Sequence, residues 1–156
     1  MKKIIIALIL FTSMNLKAQE IGGGVAILNL DGVNLTGFNL SVKKEIKEKV
    51  RAGVNLSYFT ESGVTLMPIS GLIEYKFNTD KLSPFAGVEA GIYRTSFSIF
   101  GVTASTSNIG FAPVCGFDYT LTDKINANVT AKYHYIMVEG GSMTALGVNI
   151  GIAYKL

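Results

Sequence analysis

The closing stretch, Thr144 to Leu156, restricts the fold more than any other part of the sequence. Leu146, Val148, Ile150, Ile152, Tyr154 and Leu156 are apolar, while Ala145, Gly147, Asn149, Gly151, Ala153 and Lys155 between them are small or polar. A period of two belongs to an extended strand, whose successive side chains point to opposite faces. The apolar face runs unbroken to the final residue, so it meets either a protein core or lipid.

The same period recurs upstream. Ile21 to Leu30 forms a first strand, Gly-rich at Gly22, Gly23 and Gly24 and ambiguous in its facing, and Asp31-Gly32 signals a turn. The second strand, Leu35 to Lys43, sets Thr36, Phe38, Leu40 and Val42 against Gly37, Asn39, Ser41 and Lys43, and the mixed charges of Lys43 to Lys49 read as a solvated reversal. The third, Val50 to Phe59, turns Val50, Ala52, Val54, Leu56 and Tyr58 outward if Arg51, Gly53, Asn55 and Ser57 face inward. Ile69 to Phe77 and Phe85 to Arg94 are the fourth and fifth, separated by a turn over Asn78 to Pro84. Thr95 to Ser107, rich in Ser and Thr, reads as the longest connection. The sixth strand, Ile109 to Tyr119, and the seventh, Ile125 to Tyr135, flank the tight turn Thr122-Asp123-Lys124. Pro113 inside the sixth predicts a bulge or a lost ladder bond, because a closed sheet has no free edge to hide it. Eight strands of about ten residues with short connections predict an all-β, antiparallel up-and-down barrel.

Residues 1–18 stand apart from this pattern. Lys2 and Lys3, the apolar run Ile4 to Phe11 and a polar segment ending at Ala18 follow the plan of a cleaved secretory signal peptide, which leaves 19–156 as the barrel domain. The formal charge of +3 arises from 14 Lys plus Arg against 11 Asp plus Glu, and Lys2, Lys3 and Lys17 all lie in the leader. The remaining chain is near neutral, and no nucleic-acid partner is expected. Cys115 is the single cysteine, which excludes an internal disulfide and a Cys-based metal site.

Charge placement separates a soluble barrel from a membrane barrel, since both share the same period. A soluble lipocalin-like barrel holds an apolar cavity and shows polar groups to water, and a transmembrane barrel reverses this. Here the polar faces are mostly Gly, Ala, Ser and Asn, with isolated charges at Arg51, Glu74, Lys76, Glu89, Asp118 and Lys132. Such a set suits a narrow interior filled by side chains. With the mature N-terminus in the periplasm, Tyr75, Phe77, Phe117, Tyr119 and Tyr154 fall at descending strand ends and Tyr58, Tyr133 and Tyr135 at ascending ends, as two interfacial girdles require.

On these features the chain resembles the small eight-stranded outer-membrane barrels of Gram-negative bacteria, the outer membrane protein beta-barrel domain group related to opacity-type proteins and the OmpA transmembrane domain. The resemblance covers Gln19 to Leu156. Its most specific part is the terminal signal read by the barrel assembly machinery, matched here by Asn149, Gly151, Tyr154 and Leu156, although many members end in Phe or Trp. It implies a monomer in the outer membrane, with lipid and the assembly machinery as partners, and a structural or surface-interaction role.

No catalytic, cofactor or metal site is expected. His134, the one histidine, reads as a polar lumen residue in a network with Arg51, Glu74, Lys76, Glu89, Asp118 and Lys132. The alternative makes it a general base with Ser142 or Glu139 nearby, as in outer-membrane lipid hydrolases, but no catalytic motif surrounds it. The Thr95 to Ser107 loop is the candidate surface for a partner, since it is longest and faces outward in this topology.

Overall fold

The computed structural model describes residues 19–156, apart from Asp31, Asn78, Thr79, Phe100, Gly101 and the side chains of Ile99, Val102 and Thr103. The leader expected at residues 1–18, with its cut after Ala18, lies outside the described residues. The elements are β1 (Gln19–Leu30), β2 (Val33–Lys47), β3 (Val50–Glu61), β4 (Val64–Lys76), β5 (Leu82–Ile99), β6 (Val102–Thr120), β7 (Ile125–Val138) and β8 (Gly141–Lys155). Each strand pairs antiparallel with the next, and β8 pairs with β1 from Glu20↔Lys155 to Leu30↔Ala145, which closes the barrel. Gln19 and Leu156 lie at one end of the barrel, here the terminal rim. The β1–β2, β3–β4, β5–β6 and β7–β8 turns form the opposite, hairpin rim.

Alternation sets the facing of every strand. In β8, Leu146, Val148, Ile150, Ile152 and Tyr154 are exposed, whereas Ala145, Gly147, Asn149 and Ala153 are buried. The outer surface is apolar: Val25, Ile109 and Ile152 are 68%, 66% and 62% exposed. A water-soluble surface does not carry such a continuous apolar band. Cys115 is part of it. Tyr75, Phe77, Phe117, Tyr119 and Tyr154 stand outward near the terminal rim, with Tyr58 and Tyr133 outward toward the other.

The ambiguous first strand is explained by what it packs against. Ile21, Val25 and Ile27 face outward, but Ala26, Leu28 and Leu30 face an apolar part of the interior, so both faces of β1 are apolar from Val25 to Leu28. At the closing seam Gly24 pairs with Gly151, and a Cβ on either would strike the backbone of the other strand. Gly151→Ala is therefore expected to lower stability by about 1–3 kcal/mol, the usual cost of overpacking. Urea unfolding of the barrel refolded into lipid vesicles measures this, and an unshifted midpoint would mean that the seam has slack.

Several strand ends differ from the sequence expectation. Lys43 to Lys49 is not a solvated reversal: β2 continues to Lys47 with a register shift between Glu45 and Lys47, because β3 keeps offering it ladder bonds, and Glu48-Lys49 makes the turn. β5 begins at Leu82, so Pro84 falls inside it near its start, a position proline tolerates. β4 begins at Val64 and therefore includes Pro68. Around Pro68 the β3–β4 ladder passes from Leu56↔Ile69 to Phe59↔Leu66 with no pairs between, and around Pro113 the β6–β7 ladder passes from Phe111↔Tyr135 to Val114↔Lys132. Register is unchanged across both gaps. Each proline thus costs ladder bonds on one side and produces no bulge.

The largest difference is Thr95 to Ser107, which is a hairpin rather than a loop. Pairing continues from Thr95↔Thr106 through Ile99↔Val102. Thr and Ser in alternation support a strand once a partner is present, since β-branched side chains fit a pleated surface. β4 covers the other side of β5 as far as Val64↔Phe97. β7 ends at Val138, so among the described residues β6 has no partner strand on that side from Val102 to Ser107.

Candidate functional site

The lumen is built in layers. Nearest the terminal rim, inward positions on β1, β2, β3, β4 and β6 bring charged groups around Arg51. Its Nη1 donates to Asp118 Oδ2 at 2.7 Å and to Glu20 Oε1 at 3.4 Å. Nη2 lies 2.8 Å from Glu74 Oε2, an ion pair without hydrogen-bond geometry, so Nη2 and Nε lack hydrogen-bond acceptors. Lys43 Nζ donates to Glu74 Oε1 at 3.0 Å, and Lys76 Nζ is 3.5 Å from Asp118 Oδ2. The ring of Phe85 floors the cluster, with the Arg51 guanidinium 5.1 Å and the Lys43 ammonium 5.3 Å from its centroid. Above this layer a vestibule of about 310 Å³ opens at the terminal rim.

The middle layer centres on Lys132, whose Nζ donates to Glu89 Oε1 at 2.6 Å, while Ser70 Oγ donates to Glu89 Oε2 at 3.0 Å. Asn55, with its amide turned to donate to the Leu40 carbonyl, accepts from Lys132 Nζ at 3.2 Å. The free space here is about 10 Å³, room for no more than one water. Across both layers the cations Lys43, Arg51, Lys76 and Lys132 face the anions Glu20, Glu74, Glu89 and Asp118. Burying charges is repaid only by such close pairing.

Toward the hairpin rim the lumen is apolar, where a polar interior was expected throughout. Leu28, Leu35, Phe59, Leu66, Tyr93 and Ile136 are fully buried in one cluster. Tyr93 marks the boundary: its hydroxyl is 2.9 Å from His134 Nδ1. His134 Nε2 has no partner and points at Gly147, where a Cβ would come within 3.2 Å of it. Such a filled interior is that of a closed eight-stranded barrel.

The expected network is thus divided. Arg51, Glu74, Lys76 and Asp118 share one cluster, Glu89 and Lys132 form a separate pair, and His134 joins neither, bonding Tyr93 instead. Glu20 and Lys43 are members that sequence reading missed. Alternation gives Lys43 an inward position, but the mixed charges that follow it mask that signal, and Glu20 precedes a strand whose facing the sequence leaves ambiguous. Of the terminal signal, Asn149 is buried in the lumen, Gly151 lies at the seam, and Tyr154 and Leu156 face outward at 44% and 56% exposure. Ser142 pairs with Met137 and is exposed, while His134 is buried in the lumen, so the base and nucleophile of a hydrolase are not brought together. Among the described residues no group of three or more His, Cys, Asp or Glu side chains is placed to hold a metal.

No curated protein matches the chain in sequence. Solved structures match it in fold. Neisserial surface protein A is 19% identical with a TM-score of 0.73, covering 89% of this chain and 96% of that one. The attachment invasion locus protein Ail of Yersinia pestis, solved with the heparin analogue sucrose octasulfate, is 18% identical with a TM-score of 0.63, covering 90% and 99%. The N-terminal β-barrel domain of Pseudomonas aeruginosa OprF is 15% identical with a TM-score of 0.60, covering 90% and 100%. At these identities the likeness shows a shared fold. Residues 4–155 match the family described as outer membrane protein beta-barrel domain. With its apolar outer band, paired lumen charges and closed eight-stranded sheet, the chain belongs to that family and is a β-barrel protein of the outer membrane, not a soluble ligand-binding barrel.

Proposed function

We propose that the protein is a non-catalytic surface barrel that binds an extended segment of a partner protein along β6 beyond the cell surface. The observation that carries this reading is the unpaired side of β6 from Val102 to Ser107. A free strand edge presents a row of backbone donors and acceptors, and extended peptides dock by adding a strand to it. The edge sequence, Val-Thr-Ala-Ser-Thr-Ser, has none of the lysine or proline guards that discourage such pairing. With the chain ends in the periplasm, the hairpin projects outward.

A sulfated polysaccharide such as the heparin analogue seen with Ail fits this chain less well. Arg94 is the one cation toward the hairpin rim among the described residues, against Glu61 and Glu139. A polyanion site needs clustered cations.

Replacing residues 97–104 by Asn-Gly shortens the hairpin while keeping its paired base. Displayed on a non-adherent Gram-negative host, the wild-type barrel is expected to confer adherence to cultured epithelial cells, and the shortened form to lose it while migrating as a folded barrel. Equal adherence of both forms, or none by the wild type, would remove support for the surface role.

A further inference from the structure

We propose that a cleft at the terminal rim binds the phosphoethanolamine headgroup of a phospholipid. The cleft, shallow and about 470 Å³, lies between the β4–β5 and β6–β7 turns and is lined by Asp80, Lys81, Thr120, Leu121, Thr122, Asp123 and Lys155. Its walls are tied down. Thr120 N donates to Lys81 O at 2.8 Å, Ser83 Oγ donates to Asp80 O at 2.8 Å, and Thr122 Oγ1 accepts from the amides of Lys124 and Ile125 at 3.3 and 3.1 Å.

The charges in this cleft are not spent on one another. Asp80, Lys81, Asp123 and Lys155 make no ion pair among the described residues. Two acidic and two basic residues therefore line a common space, which complements a zwitterion better than an anion. Lys81 fixes the depth. Its Nζ sits 5.4 Å from the centroid of Tyr119, so the charge is held at the aromatic girdle, the level of lipid headgroups. Leu82, Leu121 and Tyr119 are 49%, 54% and 39% exposed beside it, continuing the apolar outer band on which acyl chains lie. In this arrangement Lys81 takes the phosphate, and Asp80 and Asp123 accept hydrogen bonds from the ethanolamine ammonium. A glycerol headgroup offers the acids no cation, and a choline headgroup offers no N–H.

A lysine over a tyrosine recurs at Lys124, 5.7 Å from the Tyr154 centroid, but Lys124 does not line the cleft. It provides a control for nonspecific attraction.

The test is native mass spectrometry of the refolded barrel in detergent. Phosphatidylethanolamine, phosphatidylglycerol and phosphatidylcholine of identical acyl chains are supplied at equal concentration, and folding is checked by heat-modifiable migration. Wild type is expected to retain the ethanolamine lipid about tenfold better than the choline lipid, equivalent to roughly 1.4 kcal/mol. Joint Asp80→Asn and Asp123→Asn replacement is expected to abolish that preference and raise glycerol-lipid retention. Lys81→Gln lowers ethanolamine-lipid retention, and Lys124→Gln leaves the preference unchanged. Equal retention of the three lipids by wild type, meaning annular contact only, overturns the proposal, as does a preference that survives loss of both acids.

Discussion

Replacing Arg51 by alanine is expected to destabilise the barrel by about 3–5 kcal/mol, the cost of removing one partner from a buried charge cluster. Arg51 is 3% exposed and serves Asp118, Glu74 and Glu20 together. Its loss leaves these carboxylates near one another with the Lys43 and Lys76 ammonium groups as remaining counter-charges. Glu74→Ala is expected to cost less, because Arg51 keeps Asp118 and Glu20, and a double-mutant cycle on Arg51 and Glu74 isolates their coupling. The readout is urea unfolding in lipid vesicles, followed by the gel shift between heated and unheated samples. A midpoint unchanged in Arg51→Ala would show that the cluster is solvated enough to need no central cation.

Phe59→Ala is expected to cost a similar amount, about 3–5 kcal/mol, for a different reason: it opens a cavity in the apolar layer among Leu28, Leu35, Leu66, Tyr93 and Ile136. The two layers also stand in series along the lumen. In planar bilayers neither Arg51→Ala nor Phe59→Ala is expected to raise conductance above that of wild type, since each leaves the other barrier in place. Channel openings in Arg51→Ala alone would place the barrier to ions in the charged layer and make the apolar layer permeable.

Much of the architecture was legible because alternation survives wherever one face meets lipid. Over Val50 to Tyr58 in β3, Ile125 to Tyr135 in β7 and Ala145 to Lys155 in β8, the outward positions are apolar or small and the inward ones small or polar, so facing followed from the sequence. Legibility failed where that contrast vanished. β1 is apolar on both faces from Val25 to Leu28, because its inward side chains fill the apolar layer instead of a polar lumen. Charge, Ser and Thr read as turn signals at the ends of β2, β5 and β6, whereas ladder partners on the neighbouring strands extend them. The candidate site was legible as a set of inward charges but not as a set of pairs. Pairing depends on which inward residues share a height along the lumen, and strand register decides that. So Glu74 meets Lys43 across the interior, although the two lie on strands that are not neighbours.

The apolar layer that seals the lumen also bears on the chain before it folds. The run Val25-Ala26-Ile27-Leu28-Asn29-Leu30 has no charge and no proline, and both of its faces find cover only in the finished barrel. A short segment of high β-propensity and low charge is prone to intermolecular pairing while it is exposed. During passage through the aqueous periplasm this is the part of the chain most in need of a holding chaperone, and the plug that closes the mature barrel makes its unfolded precursor sticky.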